Sequence, residues 1–230
     1  MMKQRHTVGG IAALCLSAVF IGLLLLLAVV LPSQGFGPHT LDDPTTGMRF
    51  VATSWLPSVL SLISIGTALA FVPLTLALVH RLRAVAPTAI YVIVAAGVIA
   101  SGAWLAYGMI NIVGAPVIVT AYQHDPALAR AIYLALRLTA NDMNASAILA
   151  AGCTICLSSW TALRVGAVPK VLSFLMLLSS IAMILSFALL SVGLIGVLVA
   201  PVWSAWLGVV LLSKQATTEH ARMRAVVADA

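Results

Sequence analysis

The sequence predicts an all-α protein, a polytopic membrane bundle of six transmembrane helices with both termini in the cytoplasm. The first observation is composition, because 62% of the residues are hydrophobic, 8% are charged and the mean hydropathy is +1.13. Soluble domains carry about 25% charged residues, so a water-exposed surface could not be built from this chain. The second observation is length, since 230 residues leave room for about five to seven spans of roughly 20 residues.

Apolar segments bounded by charged residues, Pro or Gly are the predicted transmembrane helices. The first follows the basic start MMKQRH and is too long for a signal peptide, so we expect it to be an uncleaved helix. We expect one transmembrane domain over residues 1–213 and a cytoplasmic tail over residues 214–230. The predicted helices cover residues 9–31, 55–79, 88–112, 145–163, 171–192 and 197–213.

The distribution of Lys and Arg predicts the orientation of the bundle. One group of basic residues lies in the amino terminus, the second and fourth connections and the carboxyl tail; it consists of Lys3, Arg5, Arg81, Arg83, Arg164, Lys170, Lys214, Arg222 and Arg224. The other connections contain Arg49, Arg130 and Arg137. Because cytoplasmic connections are enriched in Lys and Arg, the first group predicts that both termini are cytoplasmic.

Small residues in the third helix have the spacing that allows close helix packing in lipid. Gly97 with Ser101 and Gly102 with Ala106 are two such pairs, although Gly and Ala are also simply common in this chain. Tryptophan is expected near span ends, where it anchors helices at the membrane interface. The tryptophans are Trp55, Trp104, Trp160, Trp203 and Trp206.

The stretch ALRLTANDMNAS, residues 135–146, concentrates polar side chains in a chain that has few. Asp125 followed by Pro126 predicts a helix start, since Asp is a good N-cap and Pro is favoured at the first helical position. On that helix the polar residues fall within an arc of about 80 degrees, at 100 degrees per residue. This polar stripe consists of Arg130, Tyr133, Arg137, Asn141 and Asn144.

The depth of the stripe in the membrane is predicted from the free-energy cost of placing its charged residues in the hydrocarbon layer. At the bilayer centre, Arg137 and Asp142 would together cost roughly 5 to 7 kcal/mol on the insertion scale. If residues 146–163 span the membrane instead, Asn144 lies about 30 Å from Arg164, at the outer hydrocarbon boundary. The stripe is therefore predicted at the outer mouth of the bundle. Asp142 points away from Arg137 and needs another partner, for which Arg49 is the candidate cation.

Two interpretations of the stripe remain open. In one, it is the wet face of an amphipathic helix that lies in the membrane interface. In the other, it lines an outward-facing vestibule in which arginines attract an anionic group such as a lipid headgroup or a carboxylate. The candidate binding residues are Arg130, Tyr133, Arg137, Asn141, Asp142 and Asn144.

No catalytic or cofactor motif is recognised, so we expect a non-enzymatic protein without cofactor or bound metal. Haem ligation needs histidines inside spans, but all five lie at or beyond predicted span ends. The CxxC of Cys153 and Cys156 is interpreted as a pair of buried, inert thiols, like Cys15. His39, Asp42 and Asp43 have metal-ligand chemistry without a known spacing and are expected in a solvated loop. The histidines are His6, His39, His80, His124 and His220.

The segments RVGAVPKVLSFLMLLSSIAMILSFALL and PVWSAWLGVVLLSK resemble the carboxyl-terminal half of the bacterial membrane-protein family called domain of unknown function 4386. The shared pattern is a basic cytoplasmic turn with Pro, a following helix, and a Trp-containing final helix. It covers roughly residues 145–213, and Ser173 stands where the pattern usually has Gly. The resemblance implies a six-helix protein of the bacterial cytoplasmic membrane and no particular activity.

Two functions are consistent with these features. The first is a non-catalytic accessory or interaction subunit of a membrane complex, with the lipid bilayer and other membrane subunits as partners. The alternative is a small transporter or a protein that binds lipid or anions through the outward-facing vestibule. Transport needs polar groups that continue toward the cytoplasm, but the same helical face continues as Ile148, Ala151 and Ile155, which favours the first function. The basic residues never form one stripe, so no nucleic-acid partner is expected.

Overall fold

The computed structural model describes residues 2–36, 43–83, 86–186, 195–196 and 198–213, and all regular secondary structure in these ranges is helical. Four of the helices are long and apolar enough to cross a membrane: Thr7–Ser33, Leu56–Leu82, Pro87–His124 and Pro126–Val165. Large apolar side chains remain exposed around them, with Leu69 66% exposed and Val98 62% exposed. Such a surface is typical of a protein that faces lipid.

Seven helices are used below and are numbered in chain order. Helix α1 covers Met2–Leu25 and continues through a π-helical turn, Leu26–Val30, into a last turn, Leu31–Ser33. The others are α2 (Pro44–Thr53), α3 (Leu56–Leu82), α4 (Pro87–His124), α5 (Pro126–Val165), α6 (Lys170–Leu185) and α7 (Leu198–Ser213).

Helix α5 begins where the sequence predicts. The Asp125 carboxylate accepts hydrogen bonds from the backbone N–H groups of Ala127 at 2.9 Å and Leu128 at 3.1 Å, and Pro126 occupies the first helical position. These bonds satisfy donors that have no partner within the helix. The N-cap prediction at Asp125 is therefore confirmed.

The long connection predicted over residues 113–144 is wrong. Helix α4 runs on to His124, and α5 is one uninterrupted helix of 40 residues, so only Asp125 separates them. A helix bends sharply at Pro or at a break in its hydrogen bonds, and α5 has no internal Pro. Residues 126–144 therefore continue the helix that contains residues 145–163 and do not form a separate helix.

The segment predicted as a solvated loop between the first two spans contains α2. Asp43 is its N-cap: the carboxylate accepts from the backbone N–H of Thr46 at 2.9 Å and from the Thr46 hydroxyl at 2.8 Å. Pro44 follows in the first turn. Of the three residues with metal-ligand chemistry, His39 and Asp42 lie outside the described residues. Asp43 instead caps the amino terminus of α2.

The helices form an antiparallel bundle. Helix α4 packs against both α3 and α5, α1 packs against α3, and α6 packs against α5. Helix α7 contacts both α1 and α6. The Ser17 hydroxyl of α1 donates a hydrogen bond to the Pro201 carbonyl of α7 at 2.9 Å, and Trp203 Nε1 of α7 donates to the Ser179 hydroxyl of α6 at 3.1 Å. The antiparallel order brings one set of basic residues to the same end of the bundle, here called the basic end: Arg81, Arg83, Arg164 and Lys170.

The core contains large side chains that the sequence assigned to span ends. Trp104 and Trp203 are buried, and the Trp104 ring meets Phe71 edge to face at 5.5 Å between centroids. Trp55, Trp160 and Trp206 are exposed, as interfacial anchoring requires. Of these three, Trp55 and Trp160 lie near helix ends, whereas Trp206 lies in the middle of α7.

One of the two small-residue pairs packs between helices. A Cβ added to Gly97 would lie 2.6 Å from Thr75 Cγ2, so α3 and α4 are in close contact there, and Ser101 is buried on the same face. Around Gly102 there is open space within 4 Å, so the second pair does not bring helices together.

The carboxyl-terminal helices are shorter than the other spans. Helix α6 has 16 residues, which corresponds to about 24 Å. Residues 187–194 of the predicted fifth span and the tail over residues 214–230 lie outside the described residues. All three cysteines are free thiols; Cys153 and Cys156 are half-buried, but Cys15 is exposed on α1, so its prediction as a buried residue is wrong.

Candidate functional site

The polar stripe lies on α5 beside a cavity at the end of the bundle opposite the basic end. The cavity measures about 210 Å³ and lies between α3, α4 and α5, with α2 covering it. Its polar lining residues come from three helices and are Ser61, Tyr107, Asn111, Tyr133, Arg137 and Asn141. The structure thus brings three of the six predicted site residues into one site: Tyr133, Arg137 and Asn141.

Arg137 is the cation of the cavity, and Tyr133 supports it. Arg137 Nη1 donates to the Tyr133 hydroxyl at 3.3 Å, and the guanidinium carbon lies 5.9 Å from the centre of the Tyr133 ring. These residues are one helical turn apart, so α5 itself sets the spacing. The hydrogen bond and the contact with the ring hold the guanidinium beside the cavity.

Tyr133 is fixed by its neighbours on α2, α4 and α5. Its side chain is 7% exposed and belongs to a small apolar cluster with Met48, Ile118 and Ala129. A Cβ added to Gly47 would lie 1.9 Å from the Tyr133 hydroxyl, so only glycine allows α2 to approach this closely. The position of Tyr133, and through it that of Arg137, therefore depends on the docking of α2.

The wall opposite α5 consists of polar groups held by their own helices. Asn111 Nδ2 donates to the Tyr107 carbonyl at 2.8 Å, and the Ser61 hydroxyl donates to the Pro57 carbonyl at 2.7 Å. Both bonds span one helical turn and hold these side chains at the cavity wall. Asn111 and Ser61 both belong to the cavity lining.

The height of the cavity above the basic end can be estimated by counting residues along α3, α4 and α5. At about 1.5 Å per residue, Ser61 lies about 30 Å from Arg81 along α3, and Tyr107 lies about 30 Å from Pro87 along α4. Asn141 and Arg137 lie about 35 and 40 Å from Arg164 along α5. The cavity therefore begins about 30 Å above the basic end and extends roughly 15 Å further, to Ile118 of α4 and Tyr133 of α5.

No family model matches the chain, and neither a curated protein nor a solved structure matches it. What the site can do is therefore argued from its geometry.

The other three predicted residues do not line the cavity. Arg130 and Asp142 are exposed, and Asn144 is half-buried below the cavity. The pKa of Asp43 is lowered by the hydrogen bonds from Thr46, and the positive charge of Arg130 adds a smaller effect.

One face of α5 below the cavity is apolar, although hydroxyl groups such as those of Ser101 and Ser158 are buried elsewhere in the core. On the face of α5 that continues from the stripe toward the basic end, Ala147, Ala151 and Ile155 are buried in the apolar core. Ile148 packs against the same core. The apolar continuation predicted for this face is confirmed, and the cavity ends above it.

The chemistry of the site is that of anion recognition. A guanidinium presents several N–H donors in a fixed plane and stays charged at physiological pH, and asparagine and tyrosine add neutral donors. The described residues that line the cavity include one cation and no acidic side chain. The remaining lining is apolar, from Leu60, Ile110 and Leu136 among others.

Sequence reasoning missed Ser61 and Tyr107. Ser61 belongs to a series of hydroxyl residues three positions apart (Ser58, Ser61, Ser64 and Thr67), and Tyr107 lies one helical turn before Asn111, but neither pattern by itself marks a cavity. The signal that could have found them is their distance from the basic end, since about 20 residues of helix bring each to the height of Asn141.

Proposed function

We propose that this protein is a multi-pass integral membrane protein that binds an anionic group in the cavity beside Arg137 and has no catalytic activity. The observation that carries the proposal is the convergence of Arg137, Asn141 and Asn111 in one cavity. In a chain with 8% charged residues, a cation held between helices is a strong indication of a binding site.

The proposal includes the orientation. The excess of Lys and Arg at the basic end supports cytoplasmic termini in a bacterial inner membrane, so the cavity faces outward. Helices α6 and α7 complete a bundle of six passes, in agreement with the resemblance to domain of unknown function 4386. Their lengths of about 24 Å require local thinning of a hydrocarbon layer of roughly 30 Å.

Binding is favoured over transport. A transporter has its site near the membrane midplane and polar groups on both sides of it. Here Ala151 and Ile155 are buried in the apolar core on the face of α5 that continues from the cavity toward the basic end. The cavity is therefore interpreted as an outward-facing receptor site without a passage behind it.

A second candidate function is an interaction subunit of a membrane complex. Helix α4 has 38 residues and is about 57 Å long, well beyond a hydrocarbon layer of roughly 30 Å. Near its far end Val113 and Val117 are 59% and 48% exposed. Apolar side chains at this height favour contact with another protein.

The test compares two arginines on one helix. The protein is purified into native lipid particles, and its bound species are identified by mass spectrometry of the intact complex. Arg137→Gln removes the cation in the cavity, whereas Arg130→Gln removes an equal charge from an exposed position and is the matched control. We expect a bound anionic species in the wild type and in Arg130→Gln but not in Arg137→Gln. Equal retention in all three proteins would refute the proposal, and a stoichiometric protein partner would support the second candidate.

A further inference from the structure

We infer that the ligand of this cavity is the phosphodiester headgroup of an anionic membrane lipid, which reaches Arg137 sideways from the bilayer. The inference rests on the proposed function and on its orientation, and it names the chemical class of the ligand and the direction of access.

The first argument is depth. A hydrocarbon layer is about 30 Å thick, and headgroups bring the bilayer to about 40 to 45 Å. The floor of the cavity, at Ser61 and Tyr107, lies about 30 Å above the basic end, at the outer boundary of the hydrocarbon. The outer headgroup layer is about 5 to 8 Å thick and therefore ends roughly 35 to 38 Å above the basic end. Asn141, at about 35 Å, lies within this layer, and Arg137, at about 40 Å, lies just above it. The cavity floor and Asn141 thus lie at the height at which lipid phosphates are found, with Arg137 directly above them.

The second argument is the side on which the cavity opens. The lining residues farthest from the membrane are Phe50 on α2, Ile118 on α4 and Tyr133 on α5, and all three are buried. Asn141, the lining residue of α5 closest to the membrane, is exposed. Helix α2 therefore covers the aqueous end of the cavity, while the cavity is accessible beside Asn141 at headgroup height. A ligand already in the bilayer can approach at this level.

The third argument is the combination of charge and apolar surface. Arg137 supplies one positive charge, and among the described lining residues no carboxylate could pair with a choline or ethanolamine cation. The guanidinium has several N–H donors, so a phosphodiester can bind it alongside Tyr133, and an anionic lipid without a cationic group brings no second charge into the cavity. The apolar side chains of Leu60, Ile110 and Leu136 border the same cavity, as suits an amphiphile whose glycerol and first methylene groups follow the phosphate.

The experiment distinguishes binding of the intact lipid from binding of its headgroup alone. Protein stripped of lipid in a mild detergent is titrated with dioleoyl phosphatidylglycerol, with dioleoyl phosphatidylcholine, or with water-soluble glycerophosphoglycerol, which carries the same phosphodiester without acyl chains. Bound species are counted by mass spectrometry of the intact complex. The proteins are the wild type, Arg137→Gln, Arg137→Lys and the control Arg130→Gln.

We expect one phosphatidylglycerol per protein, at least tenfold tighter than phosphatidylcholine and than glycerophosphoglycerol. Arg137→Gln should weaken phosphatidylglycerol binding at least tenfold, Arg137→Lys should restore part of it, and Arg130→Gln should leave it unchanged. A second variant, Asn141→Leu, changes the proposed opening of the cavity without removing the cation and should also weaken phosphatidylglycerol binding. A folding defect is recognised by comparing the thermal midpoint of each variant with that of the wild type.

The outcomes distinguish this inference from the proposed function. If glycerophosphoglycerol binds as tightly as the lipid and depends on Arg137, the cavity is an anion site open to water, and the lipid inference is overturned. The same holds if phosphatidylcholine binds as tightly as phosphatidylglycerol. If no ligand depends on Arg137 while the variants remain folded, the proposed function is overturned as well.

Discussion

Replacing Gly47 by alanine tests whether the docking of α2 determines the position of Arg137. The new Cβ would lie 1.9 Å from the Tyr133 hydroxyl and 2.5 Å from Tyr133 Cζ. Ordinary carbon contacts are about 3.5 Å, so one of the two groups must move by roughly 1.5 Å. The Tyr133 ring is rigid and 7% exposed, and it cannot turn aside without disturbing its cluster. Overpacking of this kind costs about 1 to 3 kcal/mol.

Two measurements follow this change. The thermal midpoint in detergent should fall by several degrees, since 1 kcal/mol corresponds to about 2 to 4 °C for a chain of this size. Phosphatidylglycerol binding should weaken, because displacement of Tyr133 breaks its 3.3 Å hydrogen bond with Arg137. The matched control is Gly102→Ala, where a Cβ meets open space and the better helix propensity of alanine should leave the protein as stable or slightly more stable. If Gly47→Ala behaves like Gly102→Ala in both measurements, α2 does not hold Tyr133 and the reasoning is refuted.

Three further predictions concern single hydrogen bonds. Trp203→Phe removes the donor to the Ser179 hydroxyl and should lower the free energy of unfolding by about 1 to 3 kcal/mol; an unchanged thermal midpoint would contradict the contact between α6 and α7. Asp125→Ala removes the N-cap of α5 and should cost about 1 kcal/mol, whereas Asp125→Asn, which keeps the acceptor, should cost less in the same melting experiment. The pKa of Asp43 is lowered by the hydrogen bonds from Thr46, so its stabilising contribution is present above the usual pKa of 3.8 and is lost as the pH falls through the lowered value. Spin labels on α2 and α5 should therefore show a distance distribution that broadens as the pH is lowered below 3.8, and Asp43→Asn should abolish the dependence.

The sequence predicted those features that local chemistry determines. Asp125 and Pro126 mark a helix start because the carboxylate satisfies free N–H groups and the ring of proline suits the first turn. The same two residue types begin α2 at Asp43 and Pro44. The signal was therefore present in the predicted loop, but the short amphipathic helix that follows lacks the long apolar run that identifies a span.

The features that were not predicted depend on tertiary contacts. Hydropathy indicated a connection at residues 113–144 because polar residues interrupt the apolar run there. In the structure, Leu136 of α5 fits over Gly114 of α4, where a Cβ would lie 2.7 Å from Leu136 Cδ1. This contact lets both helices continue as a hairpin, and a single sequence does not show which residues will meet across it. Three of the six predicted residues, Tyr133, Arg137 and Asn141, line the cavity because they share the face of α5 that turns toward α4. Arg130 lies too far along the helix.

The central claim is that the polar site opens at the outer surface above an apolar core, and site-directed labelling measures this directly. Single cysteines are placed at Asn141, Ile155 and Arg164 on a background in which Cys15, Cys153 and Cys156 are replaced by alanine, and intact cells are treated with a membrane-impermeant maleimide. We expect labelling of Asn141→Cys in intact cells, labelling of Arg164→Cys only after the cells are opened, and no labelling of Ile155→Cys in either case. Labelling of Ile155→Cys by this water-soluble reagent, or of Asn141→Cys only after opening, would contradict the account.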